Sequence, residues 1–278
     1  MQILKSKSEL RAWRKSLDQS TVGFVPTMGA LHAGHISLVK QARENCERTL
    51  VSIFVNPLQF GPNEDLSRYP RPLEQDIRLL QEAGADAVFL PSPEELTPPE
   101  ASTTVTESFV SASLCGEFRP GHFRGVTTIV LKLFNLVQPD IAFFGQKDAQ
   151  QCAVIERMVR DLDLPMKIVR GETVREADGL AMSSRNAYLN PMEREQAPRI
   201  YQSFQEVMRA FQDGETVASV LISIGRGFLE QSQAFRIQYY EIRDPATLEP
   251  LSEIGREGAL IFVAAYLGTT RLIDNWKL

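Results

Sequence analysis

The chain has 278 residues, of which 43% are hydrophobic and 23% charged, and its net charge at pH 7 is −5. This length allows a large core in one or two domains, and the acidic balance gives no basic surface, so nucleic acid is not an expected partner. Three scattered cysteines are typical of a reducing compartment rather than of a disulfide scaffold. No apolar run approaches the roughly 20 residues that span a bilayer, and the first residues lack a signal-peptide core, so we expect a cytoplasmic protein without a membrane partner.

The first two-thirds of the chain alternates short apolar runs with helical patterns. The runs predict buried parallel strands at residues 22–25, 50–55, 87–90, 141–144 and 166–169. The helical patterns lie at residues 8–17, 35–47, 73–83, 126–137 and 148–161. This alternation predicts an α/β fold with a doubly wound, Rossmann-like parallel sheet over residues 1–173.

After about residue 173 the pattern changes. Helical patterns at 192–212 and 216–232 come first, and runs at 235–243, 259–267 and 271–275 then predict antiparallel strands. We therefore expect a smaller α+β domain over residues 174–278, packed over the ligand-binding edge of the first domain.

The most informative motif is Val-Pro-Thr-Met-Gly-Ala-Leu-His-Ala-Gly-His at residues 25–35, which follows the first predicted strand. It is typical of a strand, a tight turn and a helix start, where backbone N–H groups and the helix dipole attract phosphate. His32 and His35 could donate to phosphate oxygens, and Gly29 and Gly34 allow close approach of the backbone. The alternative is that the histidines only cap or pack. Zinc is disfavoured, since the chain has three His, three Cys and no CxxC or HExxH motif.

Polar segments also follow the second and fourth predicted strands, at residues 56–60 and 145–148. Open α/β sheets bind ligands at the carboxyl ends of their strands. We therefore expect these segments and the histidine motif to contribute to one site.

Five motifs, in this order, carry a resemblance that extends over essentially the whole chain. They are His-Ala-Gly-His at 32–35, Val-Ser-Ile-Phe-Val-Asn-Pro-Leu-Gln-Phe at 51–60, Arg-Pro-Gly-His-Phe-Arg-Gly-Val at 119–126, Phe-Phe-Gly-Gln-Lys-Asp-Ala-Gln-Gln at 143–151 and Met-Ser-Ser-Arg-Asn at 182–186. Together they resemble the pantoate–β-alanine ligase (pantothenate synthetase) family of the HxGH nucleotidyltransferase superfamily. The resemblance implies ATP-dependent condensation of pantoate with β-alanine through a pantoyl adenylate, with release of AMP and pyrophosphate. It also implies Mg²⁺, a homodimer, an ATP- and pantoate-binding domain at 1–173 and a lid at 174–278.

Adenylate formation brings a carboxylate to the α-phosphorus, so the site must supply donors and positive charge. The resemblance implies catalytic roles for His32, His35, Lys147 and Arg185. The full ATP-binding set that it implies is Pro26, Thr27, Met28, Gly29, His32, Gly34, His35, Gly145, Lys147, Asp148, Met182, Ser183, Ser184 and Arg185. Three alternatives stay open: a solvated loop lysine at 147, a helix cap at Asp148 and a surface turn at Ser183.

The resemblance also implies a pantoate-binding set of Gln59, Gln151, Asn56, Met28 and Arg119. A neutral amide suits this acid, because it donates and accepts without neutralising the attacking carboxylate. For Met28, Phe54 and Phe60, core packing is the favoured interpretation. For His122 we expect a structural role that supports its loop.

The family places acidic residues on the helix after residues 68–71, and the corresponding pair here is Gln75-Asp76. Asp76 is therefore the candidate Mg²⁺ ligand, whereas Gln75 removes the second carboxylate found in some relatives. No Gly-x-Ser-x-Gly motif or cysteine–histidine pair suggests a dedicated nucleophile. We therefore expect β-alanine to attack the adenylate directly.

Other functions fit the sequence less well. A nucleotidyltransferase acting on a phosphate monoester would need cationic acceptor residues, whereas Asn56 and Gln59 favour a carboxylate. A nucleotide-binding regulatory protein without turnover is disfavoured by the presence of both motif histidines and Lys147. A kinase is disfavoured because no GxxxxGK[ST] motif occurs.

Overall fold

The first part of the molecule is built on a six-stranded parallel sheet. The computed structural model describes residues 1–62 and 64–278. The strands are β1 (Gln2–Leu4), β2 (Val22–Thr27), β3 (Arg48–Ile53), β4 (Ala87–Phe89), β5 (Ile141–Gly145) and β6 (Lys167–Gly171). Their order is β1-β4-β3-β2-β5-β6, so the connection changes direction between β2 and β5. Ligands bind at such a switch point in open α/β sheets.

The predicted helices around this sheet are present, together with two short ones. The helices are α1 (Lys7–Ser16), α2 (Ala33–Asn45), α3 (Leu73–Glu82), α4 (Pro93–Leu96), α5 (Cys115–Phe118), α6 (His122–Val137) and α7 (Ala149–Asp161). The three-residue strand β1 was not predicted, because so short a run carries no periodic signal.

Both faces of the sheet are buried, which explains why the strands are continuous apolar runs. Successive side chains on a strand point to opposite faces. Phe24 accordingly packs in one core with Trp13 of α1 and Phe134 of α6. Its neighbour Val25 packs in a second core, with Val39 of α2. The doubly wound fold predicted from these runs is confirmed.

The last hundred residues form an antiparallel sheet with three helices. The helices are α8 (Pro191–Gln196), α9 (Arg199–Gln212) and α10 (Ala218–Glu230), and the strands are β7 (Phe235–Arg243), β8 (Leu260–Leu267) and β9 (Thr270–Lys277), in the order β7-β8-β9. The single helix expected over 192–212 is two helices. It breaks before Pro198, because proline offers no N–H to the preceding turn. The core of this part includes Phe204, Leu221 and Ile261.

The chain divides into two compact units. The first comprises residues 1–146 and 151–172, and the second comprises residues 147–150 and 173–278. The short segment 147–150 thus groups with residues that lie far from it in sequence. Over the described ranges, no helix is long and apolar enough to cross a membrane.

Candidate active site

The histidine motif is a turn between β2 and α2 in the first unit. Gly29 and Ala30 both have left-handed backbone, with φ of 81° and 50°. His32 is the N-cap of α2, and its Nδ1 accepts the N–H of Gly34 at 3.2 Å. Nδ1 of His35 accepts the N–H of His32 at 3.3 Å. The capping alternative is therefore correct for Nδ1 of both rings.

Capping through Nδ1 determines the chemical role of Nε2 in each ring. A neutral imidazole that accepts on Nδ1 carries its proton on Nε2. The two rings lie together, with their centroids 4.1 Å apart. Two Nε2–H donors at a helix N-terminus suit phosphate oxygens, so capping and phosphate binding are compatible in this turn.

Asp76 of α3 holds the same turn from behind. Its side chain is buried, with only 1% of the residue exposed. Its Oδ2 accepts the N–H of Ala30 at 2.9 Å, and its Oδ1 accepts the N–H of Leu31 at 2.8 Å. Burial raises the pKa of this carboxyl, and the two backbone hydrogen bonds oppose that effect. A Cβ on Gly29 would lie only 3.0 Å from Oδ2, so the turn requires glycine there.

Asp76 is also the residue predicted to bind Mg²⁺. Each of its carboxylate oxygens accepts one backbone N–H, and the neighbouring Gln75 is exposed. Because each oxygen has a second lone pair, these hydrogen bonds do not test metal binding. Asp76 supports the histidine turn, and its Mg²⁺ role stays a prediction.

The polar segment after β3 forms an amide cluster. Nδ2 of Asn56 donates to Oε1 of Gln59 at 3.0 Å and to the carbonyl of Gly125 at 3.1 Å. Nε2 of Gln59 in turn contacts Sδ of Met28 at 3.1 Å. The predicted pantoate residues Asn56, Gln59 and Met28 thus meet, and Met28 belongs to the histidine turn. Phe54 lies in the core, as favoured from the sequence.

Arg119 fixes the backbone of this cluster through its guanidinium. Its Nε and Nη2 each lie 2.7 Å from an oxygen of Glu64, and Nη2 also donates to the carbonyl of Gln59 at 3.2 Å. Nδ1 of His122, a buried residue, lies 2.9 Å from that carbonyl. Burial by itself would raise the pKa of Glu64, but the hydrogen bonds and charge of Arg119 lower it. Arg119 and His122 therefore support Gln59 from its main-chain side.

The remaining predicted residues of the first unit lie at the end of β5 and the start of α7. Gly145 ends β5, and a Cβ built there would meet nothing within 4 Å. Gln151 lies in the first turn of α7 and is half-buried.

The second unit contains the other predicted phosphate-binding residues. Lys147 has a largely buried side chain, 18% exposed, and its Nζ lies 3.9 Å from Oδ2 of Asp148. Oγ of Ser183 accepts the N–H of Arg185 at 3.2 Å and begins a short 3-10 turn at Ser184–Tyr188. Ser183 thus forms a local turn, and its phosphate-binding role stays a prediction. It holds Ser184 and Arg185 on one rigid turn.

Sequence reasoning missed three charged or polar residues near this site. Glu64 lies beside Arg119, Asn275 bonds the Lys147 carbonyl, and Asp274, the neighbour of Asn275, pairs with Arg175. Asp274 and Asn275 did carry a signal, because these two adjacent polar residues lie between the apolar residues Ile273 and Trp276. Glu64 carried none, since one acidic residue in a polar loop is ordinary.

Comparison with known proteins identifies the family. The family described as Pantoate-beta-alanine ligase matches residues 2–277. A pantothenate synthetase of Thermoanaerobacter sp. (strain X514) is 52% identical over 261 residues, covering 94% of this chain and 92% of that protein. A bifunctional pantoate ligase/cytidylate kinase of Synechococcus sp. (strain JA-3-3Ab) is 50% identical over 283 residues. The match covers all of this chain but only 52% of that relative, so the chain spans about half of its length.

Solved structures agree with this match. The pantothenate synthetase of Thermus thermophilus superposes with a TM-score of 0.95 at 47% identity, covering 100% of this chain and 99% of that one. A pantoate-beta-alanine ligase of Francisella tularensis, complexed with beta-gamma ATP and beta-alanine, gives a TM-score of 0.82 at 36% identity, with 100% and 97% covered. The predicted fold class is thus confirmed in a solved relative. The chain belongs to the pantoate-beta-alanine ligase family, as its motifs predicted, and is a ligase of that family.

Proposed function

We propose that this chain joins pantoate to β-alanine with ATP, by way of a pantoyl adenylate. Family membership and a relative solved with beta-gamma ATP and beta-alanine support this reaction. Within the molecule, the observation that carries it is the 3.1 Å contact between Gln59 and Met28. It joins an uncharged amide cluster to the turn that bears His32 and His35.

In the first half-reaction the pantoate carboxylate attacks the α-phosphorus, and the bond to pyrophosphate breaks. His32 and His35 would donate from Nε2 to phosphate oxygens on which negative charge increases. Lys147 and Arg185 would supply positive charge, and Ser184 would add a hydroxyl donor. The other proposed ATP contacts are Pro26, Thr27, Gly29, Gly34, Gly145, Asp148, Met182 and Ser183. Magnesium would enter with the substrate as MgATP, and Asp76 is its candidate protein ligand.

Pantoate carries a carboxylate, two hydroxyls and two methyl groups. Gln59 and Gln151 would bind its polar groups, and Met28 would contact its methyl groups. An amide orients the acid without neutralising the attacking oxygen. Asn56 and Arg119 act on pantoate through Gln59, because both contact that residue.

In the second half-reaction the neutral amine of β-alanine attacks the acyl carbonyl, and the bond between the acyl carbon and AMP oxygen breaks. The amine loses a proton as the amide forms. The mixed anhydride is already activated, so positioning and exclusion of water supply the remaining rate. We assign that exclusion to residues 174–278 as a lid. A cytoplasmic homodimer is likewise a proposal that rests on the family resemblance.

The test is pantoate-dependent release of pyrophosphate from ATP without β-alanine, followed by release of AMP when β-alanine is added. A ligase that forms an adenylate releases about one equivalent of pyrophosphate per site in the first phase. Phosphopantetheine, a phosphate monoester, should not replace pantoate. If it does and pantoate gives no pyrophosphate, the chain is a nucleotidyltransferase of the alternative class.

A further inference from the structure

The C-terminal strand β9 holds the backbone at Lys147. Nδ2 of Asn275 donates to the Lys147 carbonyl at 2.8 Å, across 128 positions of sequence. Asn275 is buried, with 5% of the residue exposed. Lys147 lies in a single 3-10 turn, Gln146–Asp148, between β5 and α7. Because so short a turn has few hydrogen bonds of its own, the hydrogen bond from Asn275 has a large effect on its geometry.

Asp274, the neighbour of Asn275, is itself held rigidly. Arg175 donates from Nη1 to Oδ2 at 2.6 Å and from Nη2 to Oδ1 at 3.0 Å, a bidentate pair. The guanidinium also lies over the rings of Tyr201 and Trp276, at 4.8 and 5.0 Å from their centroids. Burial raises the pKa of Asp274, while Arg175 and the charge of Lys147 act in the opposite direction. The ion pair thus fixes β9 at the residue next to Asn275.

The buried pair of Arg175 with Asp274 is an inefficient way to stabilise a fold. A buried ion pair commonly contributes no more to stability than well-packed apolar residues would. Leu272 and Trp276 of β9 pack in that apolar way, in the core of the second unit. Two consecutive polar residues at this point of the strand therefore indicate a role beyond packing.

We propose that Asn275 is a positioning residue for Lys147. It fixes the backbone from which the lysine side chain extends, and the pair of Arg175 with Asp274 fixes the strand at the neighbouring position. The inference rests on the proposed role of Lys147 in adenylate formation.

The test is a double-mutant cycle on the intact enzyme, measured by pantoate-dependent ATP–pyrophosphate exchange. Lys147→Ala is expected to lower exchange by about 100- to 1000-fold, as loss of a transition-state charge contact does. Asn275→Ala is expected to lower kcat about tenfold, since one hydrogen bond is lost, with little change in the KM for pantoate. In the Lys147→Ala background the Asn275→Ala change should have almost no further effect, because the two residues act as a unit.

Two further variants separate positioning from folding. Ser203→Ala removes a buried hydroxyl of the same unit that bonds the carbonyl of Ile200 at 2.7 Å, and it should lower Tm without lowering kcat. Asn275→Asp keeps the side-chain shape but has no N–H to donate, so it should lower kcat even if Asn275→Ala does not fold.

Unchanged exchange in Lys147→Ala would refute the proposed role of the lysine. The positioning inference alone would be overturned if Lys147→Ala lowered exchange strongly but Asn275→Ala left it unchanged. It would likewise be overturned if Asn275→Ala lowered exchange by the same factor in the wild-type and Lys147→Ala backgrounds.

Discussion

The carboxylate of Asp76 accepts the backbone N–H of Leu31 at 2.8 Å, which ties the start of α3 to the histidine turn. Its second oxygen accepts the N–H of Ala30, so both oxygens are used as acceptors. The turn contains two residues with left-handed backbone. Its backbone N–H groups at Ala30 and Leu31 need acceptors, and Asp76 supplies both. Asp76 thus determines where His32 and His35 begin the next helix.

Replacing Asp76 by asparagine should therefore lower both stability and activity, although the two side chains have the same shape. Whichever way the amide is oriented, its NH₂ group faces a backbone N–H. One buried donor is left without an acceptor, which costs about 1–3 kcal/mol of unfolding free energy. We expect that loss in urea unfolding, together with a drop of about tenfold in pyrophosphate exchange as the histidines shift.

The matched control is Asp86→Asn, in the same unit. Asp86 accepts one backbone N–H, from Thr49 at 2.8 Å, and an amide oxygen can replace that acceptor. Its activity should stay near that of the wild type. If Asp76→Asn instead raised the Mg²⁺ concentration needed for half-maximal exchange and left the unfolding free energy unchanged, Asp76 would be a metal ligand and not the support of the turn.

The ion pair of Glu64 with Arg119, which supports Gln59, should stabilise the protein less at acid pH. The pKa of Glu64 lies below its ordinary 4.5 in the folded chain. Its stabilising contribution is then complete above about pH 4.5 and is lost as the pH falls toward the lower, folded-state value. Unfolding free energies of wild type and Glu64→Gln, measured from pH 6 downward, should therefore converge in acid. Parallel curves over that whole range would show that the pair does not contribute in this way.

The amide of Gln59 should control the affinity for pantoate. In Gln59→Ala the KM for pantoate is expected to rise about tenfold or more, because a substrate hydrogen bond is lost, while the KM for ATP changes little. Gln59 lies in a 3-10 turn, Pro57–Gln59. The control is Leu58→Ala in that turn, since Leu58 is 45% exposed. Equal KM values for pantoate in both variants would place the acid pocket elsewhere.

The fold and the main site motifs were predictable from the sequence, whereas the long-range contacts of the polar side chains were not. Apolar runs and helical patterns give the strand–helix alternation, and the chain topology then places the histidine motif and Gln59 at one sheet edge. Local patterns do not specify which long-range contact a polar side chain makes. The sequence therefore did not predict that Asp76 and Arg119 each hold a backbone segment. Asn275 escaped notice because its partner lies 128 residues away.

Gly125 offers a test of how tightly Gln59 is placed. A Cβ at this position would lie 2.1 Å from the Leu58 carbonyl oxygen and 2.7 Å from the Gln59 nitrogen. Both neighbours are backbone, so Gly125→Ala must push the 3-10 turn away from α6. We expect a higher KM for pantoate and a loss of about 1–3 kcal/mol of unfolding free energy, as in other overpacked sites.

The comparison variant is Gly227→Ala in α10, where a Cβ would meet nothing within 4 Å. Removing a helical glycine there should raise the unfolding free energy by about 0.5–1 kcal/mol, because alanine loses less conformational entropy on folding. Its kinetics should match the wild type. The pair thus separates the general effect of adding a methyl group to a helix from displacement of the Gln59 turn. If the KM for pantoate were unchanged in a folded Gly125→Ala enzyme, the position of that turn would not determine substrate affinity.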